Sequence, residues 1–274
     1  MNLQGVIETH VHASPDVRVR SVDDWGIVES AVKAGIRAVV IKNHFVPTMC
    51  RAADVQRLSD KVQIFGGIAL NRSVGGVNPY AVDIALRLGA KVVWLPTHDS
   101  AAHQRCHGKT SGLEIKPGTE EERNLRAIIR MVEDHGAALA TGHLSPEEIM
   151  LVADEAVRAG LKRLVITHPE LRVVNMPISQ QKELASAGCF FERVYAQPEG
   201  GGKYHVNVED NYRAMTEVGF DSTIVSTDGG QVENPFWTVS LQNYINILEE
   251  KGVTEEQLNV MCKKNPAYVL GLDE

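Results

Sequence analysis

Along the chain, amphipathic stretches suited to helices alternate with short runs that are apolar almost throughout, and a glycine marks junction after junction. Ala31-Val32-Lys33-Ala34-Gly35 leads into the run 36–41, and Leu86-Arg87-Leu88-Gly89 leads into 91–95; Gly136, Gly160, Gly188 and Gly219 repeat the arrangement. Glycine readily takes the left-handed backbone that ends a helix, so each instance reads as helix stop, tight turn, strand start. Strands are expected near residues 6–12, 38–44, 63–70, 91–97, 137–143, 163–168, 189–196 and 222–228. Runs such as 37–42 and 161–167 lack a polar face, as parallel strands covered on both sides should.

Successive βα units predict an α/β fold of the (β/α)8 TIM-barrel type, a single domain over residues 1–274. A doubly wound sheet, the competing arrangement, usually carries a glycine-rich phosphate loop after its first strand. His10-Val11-His12-Ala13-Ser14-Pro15 stands there instead. Ser145-Pro146-Glu147-Glu148 and the segment from Thr254 to Gln257 have the signature of capping boxes opening helices. Two connections, 99–118 and 197–205, are long; on a barrel they belong to the face that carries chemistry, and 229–235 is a third candidate substrate loop by position alone.

Charge narrows the partners. A net charge of −7 with no compensating basic patch argues against nucleic acid or an anionic membrane and for a small-molecule substrate. No run approaches the ~18 apolar residues of a membrane span. Cys50, Cys106, Cys189 and Cys262 are scattered without C-x-x-C spacing, which suits reduced thiols and a cytoplasmic location. Phe236, Trp237 and Tyr244 are expected to pack on the barrel, with a homo-oligomer interface as the alternative use of that apolar segment.

The polar residues ending the apolar runs carry the chemistry. His10 and His12 are two apart on an extended chain and so face one side, where two imidazoles form a metal clamp. His44, His98, His143, His168 and Asp228 end later runs, so that six of the 10 histidines fall at expected C-terminal strand ends. A single histidine there is more often structural; the recurrence argues for a site. His103, His107 and His205 lie in the long loops, and His135 sits where it would favour a helix C-terminus.

On these residues the chain resembles the amidohydrolase superfamily, metal-dependent hydrolases on (β/α)8 barrels. The resemblance matches H-x-H on strand one to His10 and His12, the histidines ending strands five and six to His143 and His168, and the aspartate ending strand eight to Asp228. The segment Lys264-Asn265-Pro266-Ala267 resembles the one that commonly closes these chains. One departure concerns the carboxylated lysine or glutamate on or near strand four that bridges two metals in binuclear members. Here that strand ends Leu95-Pro96-Thr97-His98-Asp99, leaving Lys42 and Glu192 as alternative carboxylate sources. With one metal, His168 is left to bind substrate. The first forty-odd residues also resemble the PHP phosphoesterases, seven-unit barrels whose H-x-H is followed by a strand ending in threonine-aspartate-histidine; here that strand ends Lys42-Asn43-His44.

The resemblance implies a hydrolase acting on an amide, ester or lactone bond. Metal ligands are expected among His10, His12, His44, His98, His143, His168 and Asp228, with Asp228 and His168 catalytic. Arg18, Arg20, Arg72 and His103 are expected to bind substrate, since guanidinium grips carboxylate or phosphate bidentately. The cofactor expected is one or two divalent ions, zinc first, with manganese, iron or nickel as alternatives. A phosphoesterase and a barrel that binds a ligand without catalysis are the competing readings.

Overall fold

A computed structural model of the chain describes residues 1–272. Eight parallel strands form one sheet in strict chain order: β1 (Ile7–His12), β2 (Ala38–Lys42), β3 (Gln63–Ala69), β4 (Val92–Trp94), β5 (Ala138–Ala140), β6 (Leu164–Thr167), β7 (Phe190–Val194) and, after a separate hairpin of β8 (Ala196–Gly200) and β9 (Lys203–Val206), β10 (Thr223–Ser226). The first and last strands meet through a parallel bridge between Val11 and Gly229, where the His12 N–H donates to the Gly229 carbonyl at 2.9 Å. The sheet thus closes as a (β/α)8 barrel, with the eight units expected rather than the seven of the phosphoesterase pattern.

Helices cover the outside because their buried stripes meet the outward side chains of the strands. Ile27, Val28 and Ala31 pack with Val39 and Ile41 on one flank, and Leu125, Ile128 and Val132 with Val93 and Leu139 on another. Gly35 and Gly160 end their helices with φ of 72° and 75°, as their positions predicted. Both expected capping boxes form, at Ser145 with Glu148 and at Thr254 with Gln257. Inside the barrel, Ile7, Val40, Trp94 and Val165 meet Ala267, Val269 and Leu270 of the helix Asn265–Leu270. Asn265 fixes that helix by donating to the carbonyls of Asp221 and Thr223 at 2.8 and 2.7 Å, so the closing segment plugs the end of the barrel opposite the strand termini that carry the histidines.

A one-residue bulge in β1 sets the register of the site. Glu8 pairs with Val39 and Val11 with Ile41, so Thr9 and His10 together face Val40 alone. Ile7 faces inward, Val11 packs outward, and Thr9 lines a small interior cavity. The seam then uses a side chain in place of ladder bonds. Glu8 Oε1 accepts from the N–H groups of His10 and Thr227 at 3.0 and 3.2 Å and from the Ser226 hydroxyl.

The segment 197–205, read as a loop, lies within the antiparallel hairpin β8–β9 instead. Its turn residues Gly201 and Gly202 have φ of 60° and 76°, the paired positive values of a tight two-residue hairpin turn, which a glycine pair accommodates without a steric penalty. The expected strand ends are also shorter than drawn, and His44, His98, His143 and Asp228 sit just beyond β2, β4, β5 and β10. Among the described residues no helix is long and apolar enough to cross a membrane.

Candidate metal centre and mouth of the barrel

At the C-terminal rim, three donor atoms from the two edges of the seam converge. Asp228 Oδ1 lies 3.0 Å from His10 Nε2 and 3.1 Å from His12 Nε2, and the two Nε2 atoms are 3.3 Å apart. Ligands about 2.1 Å from one ion stand roughly 3.0 to 3.4 Å from each other in octahedral to tetrahedral geometry, so the spacing fits a shared cation. Among the described residues these are the only three His, Cys, Asp or Glu side chains whose donor atoms all lie within 4.8 Å of one another. His10 and His12 are fully buried and the Asp228 side chain is 13% exposed.

The surroundings tune each donor. Glu192 Oε2 accepts from His10 Nδ1 at 2.9 Å, which puts the ring proton there and leaves the Nε2 lone pair for an ion. Glu192 is itself held by the Thr9 hydroxyl at 2.8 Å. Burial disfavours charge on His10, but Asp228 and Glu192 outweigh it and raise its pKa. Burial, then Arg20, whose Nη2 lies 3.3 Å from Nδ1, hold His12 well below the ordinary imidazole range. Burial alone would raise Asp228; His10 and His12 reverse this and keep it ionised far below the usual carboxylate range. Lys42, fully buried, points its Nζ at His10 Nε2 from 2.9 Å and lies 5.2 Å from the Trp94 ring centroid; burial brings its amine down to about 8.

The other histidines complete a closed circuit of rings. From His10 the centroid separations run 5.2 Å to His12, 4.6 Å to His44, 3.8 Å to His98, 4.7 Å to His103, 4.9 Å to His143, 4.9 Å to His168 and 6.1 Å back to His10. Burial is the leading reason that His44 and His143 are pushed well below the ordinary range, His98 to about 2, His103 to about 4 and His168 to about 3. They are therefore neutral, as ligands and hydrogen-bonding groups need to be.

His168 is the most exceptional. It is fully buried, neither ring nitrogen has a partner, and its φ is +30°. Asp228 also has positive φ, +49°. Left-handed backbone at residues other than glycine costs about 1–3 kcal/mol each and is concentrated at functional sites. A buried imidazole whose two nitrogens have no protein partner has both of them to offer an ion, a water or a substrate.

The sequence-predicted residues separate by position. His44, His98, His103, His143 and Asp228 line one mouth cavity together with Arg18 and Arg20. Arg20 is tied to Asp16 at 2.7 Å with both side chains buried. Arg72 is exposed, is not among the cavity's lining residues, and offers its backbone N–H to Asp99 Oδ2 at 2.8 Å. His107 reaches the cavity, whereas His205 is exposed on β9 and His135 caps its own helix. Glu192 supports His10 rather than standing free to bridge. Gln197, from the expected substrate segment 197–205, lines the same cavity. Two contributors escaped the sequence reading: Arg172, which also lines it, and Asn71, which staples three loops by donating to the His44 carbonyl at 2.7 Å and Thr97 Oγ1 at 2.6 Å while accepting from the Thr97 and Asp99 N–H groups.

Residues 5–192 match a family of unknown function, DUF6282. The chain belongs to the DUF6282 family. No curated protein matches this DUF6282 sequence. Among solved structures, the fold is similar to that of an amidohydrolase from Pseudomonas aeruginosa, with TM-score 0.68, 14% identity, and coverage of 97% of this chain and 95% of that one. It is similar to an organophosphorus hydrolase from Deinococcus radiodurans, with TM-score 0.60, 16% identity, and 98% and 93% coverage. It is also similar to a candidate 2-pyrone-4,6-dicarboxylic acid hydrolase from Pseudomonas putida, with TM-score 0.66, 15% identity, and 100% coverage of both chains. The barrel expected from the amidohydrolase resemblance is the barrel this DUF6282 member has.

Proposed function

We propose that this protein is a metal-dependent hydrolase of the amidohydrolase type that cleaves an amide, ester or lactone bond in a small molecule. The observation that carries the reading is the convergence of His10, His12 and Asp228 within 3.3 Å of one another, next to the unpartnered ring of His168. The named hydrolases that share the fold, one an organophosphorus hydrolase, support it.

His10, His12 and Asp228 would hold a divalent ion, zinc first, with manganese, iron and nickel as the alternatives, and His143 and His168 stand next in line for a second. When bound, the ion supplies Lewis acidity that brings the pKa of water from ~16 towards ~7. Asp228, ionised at any working pH, takes the proton of the attacking water and returns it to the leaving group. With a single ion, His168, neutral with one N–H to give, would hold the oxygen on which charge develops. The remaining imidazoles exclude bulk water from that corner and keep the ligands in place. His103, whose Nδ1 is 2.8 Å from His143 Nδ1, reaches from the short helix Ala101–Cys106 after β4 to contact substrate.

Metal analysis of the purified protein, followed by assays against lactones, aryl esters, amides and phosphate esters, tests the reading. About one or two ions per chain, and activity lost in His10→Ala with His12→Ala, are expected. A protein that takes up none of the four metals is a ligand-binding barrel instead. Hydrolysis confined to phosphate monoesters and abolished by His44→Ala makes it a phosphoesterase.

A further inference from the structure

We propose that the substrate bears an anionic oxygen group, a carboxylate or a phosphate, away from its scissile bond, and that Arg18 and Arg172 grip it at the mouth of the barrel. This rests on the hydrolase reading above and names the substrate class for the same site.

The charge inventory of the mouth is the reason. Its lining includes three arginines, Arg18, Arg20 and Arg172, against a single acidic residue, Asp228. Asp228 is committed to His10 and His12. Arg20 is neutralised by Asp16 at 2.7 Å and is 2% exposed, so it serves the wall. Among the described residues no carboxylate pairs with Arg18 or Arg172. The lining imidazoles carry no negative charge that could offset the arginines, and Arg18 lies close enough to His98 and His103 to help burial hold those two neutral. Two arginines without a carboxylate partner among the described residues therefore line one cavity in a protein whose net charge is −7. Such a concentration of one sign in a concave site draws in the opposite sign.

The two arginines approach from different loops, Arg18 from the segment after β1 and Arg172 from the segment after β6, beside the unpartnered His168. A forked acceptor spanning them would orient the rest of the molecule towards the donor triad. The neighbouring wall of Leu171, Val173 and Pro198 is apolar. The cavity measures about 140 Å³, close to the ~150 Å³ that takes a benzene ring. The fitting ligand is thus a small organic acid or phosphate of about one ring's bulk.

Calorimetric titration of zinc-loaded and metal-stripped protein with benzoate, phenyl phosphate and neutral benzamide tests this. At least one anion is expected to bind both forms about tenfold or more tighter than benzamide, and the tighter of the two identifies the group. Arg18→Gln and Arg172→Gln, both at exposed positions, should each weaken that anion by about tenfold and leave benzamide unchanged, the usual loss for one charge-assisted hydrogen bond. Anion affinity that ignores both substitutions, that vanishes with the metal, or that equals benzamide's overturns the proposal. Arginine-dependent binding in a protein that hydrolyses nothing keeps the subsite and removes the hydrolase reading.

Discussion

Glu192 Oε2 accepts a hydrogen bond from His10 Nδ1 at 2.9 Å, so a carboxylate on the seventh barrel strand decides which nitrogen of a first-strand histidine is free. Supporting carboxylates of this kind typically govern metal affinity by 10–100-fold. Glu192→Gln is expected to weaken zinc binding by about tenfold, and Glu192→Ala by more, in competition with a chromophoric chelator. Undiminished affinity in Glu192→Ala would show that His10 needs no such partner.

Lys42 Nζ occupies the same His10 lone pair from 2.9 Å. With its amine brought down to about 8 by burial, the ammonium form still predominates at pH 7, and an ion arriving at His10 has to displace its proton. Zinc titrations in buffers of differing ionisation enthalpy should therefore show proton release, lower by about one proton per ion in Lys42→Met. Equal release in both proteins would mean that Lys42 keeps its charge beside the metal.

Acid should unfold the metal-free protein steeply. Burial depresses His168 to about 3, whereas an unfolded histidine titrates near 6.5. Below 6.5 the unfolded chain binds a proton that the folded one refuses, so this stability is complete above pH 6.5 and is lost as pH falls towards 3, at a limit of about 1.4 kcal/mol per pH unit. His44, His98, His103 and His143 shift the same way. Urea midpoints measured from pH 7 down to 4 should fall throughout; a flat profile would contradict neutral buried rings.

Glu8 has the opposite sign. Burial raises it to about 7 from 4.5, despite the bonds from Ser226, His10 and Thr227. Its protonated form favours the fold, so its contribution is present below about 4.5 and is lost as pH rises through 7. Glu8→Gln should exceed the parent in stability at pH 8, by up to about 3 kcal/mol, and match it near pH 4.5. A variant less stable at pH 8 would show that the carboxylate is needed as an anion.

Gly230 has φ +98°, and a Cβ there would overlap the carbonyl of His12. Gly230→Ala is expected to cost about 1–3 kcal/mol in urea unfolding and to weaken metal binding by moving His12 against Asp228. Full affinity in this variant would separate the turn from the site.

Much of this is legible in the amino-acid sequence. Glycine-punctuated apolar runs gave the order of the units, and histidines ending those runs are the ones the barrel gathers, because parallel strands all deliver their C-terminal ends to one rim. The bulge at Thr9 and His10 was invisible, since it depends on what Val40 faces across the ladder rather than on local pattern. The same limit separates Arg72 from Arg172: both follow apolar runs, but only the loop geometry after β6 brings its arginine to the cavity. The hairpin turn at Gly201 and Gly202 did have a local signal, the glycine pair, which length alone disguised as a loop.

The bond between the two ends of the sheet is thin, a bridge at Val11 and Gly229 backed by the Glu8 carboxylate and, beyond the strands, by a bridge at Arg20 and Gln231, and two of the three converging donors lie on its one side and the third on the other. An ion bound there would act as a rivet across the slit. Amide exchange along β1 and β10 should then slow on loading far more than exchange in β4 and β5, on the opposite wall, making metal supply a control on whether the cylinder stays shut.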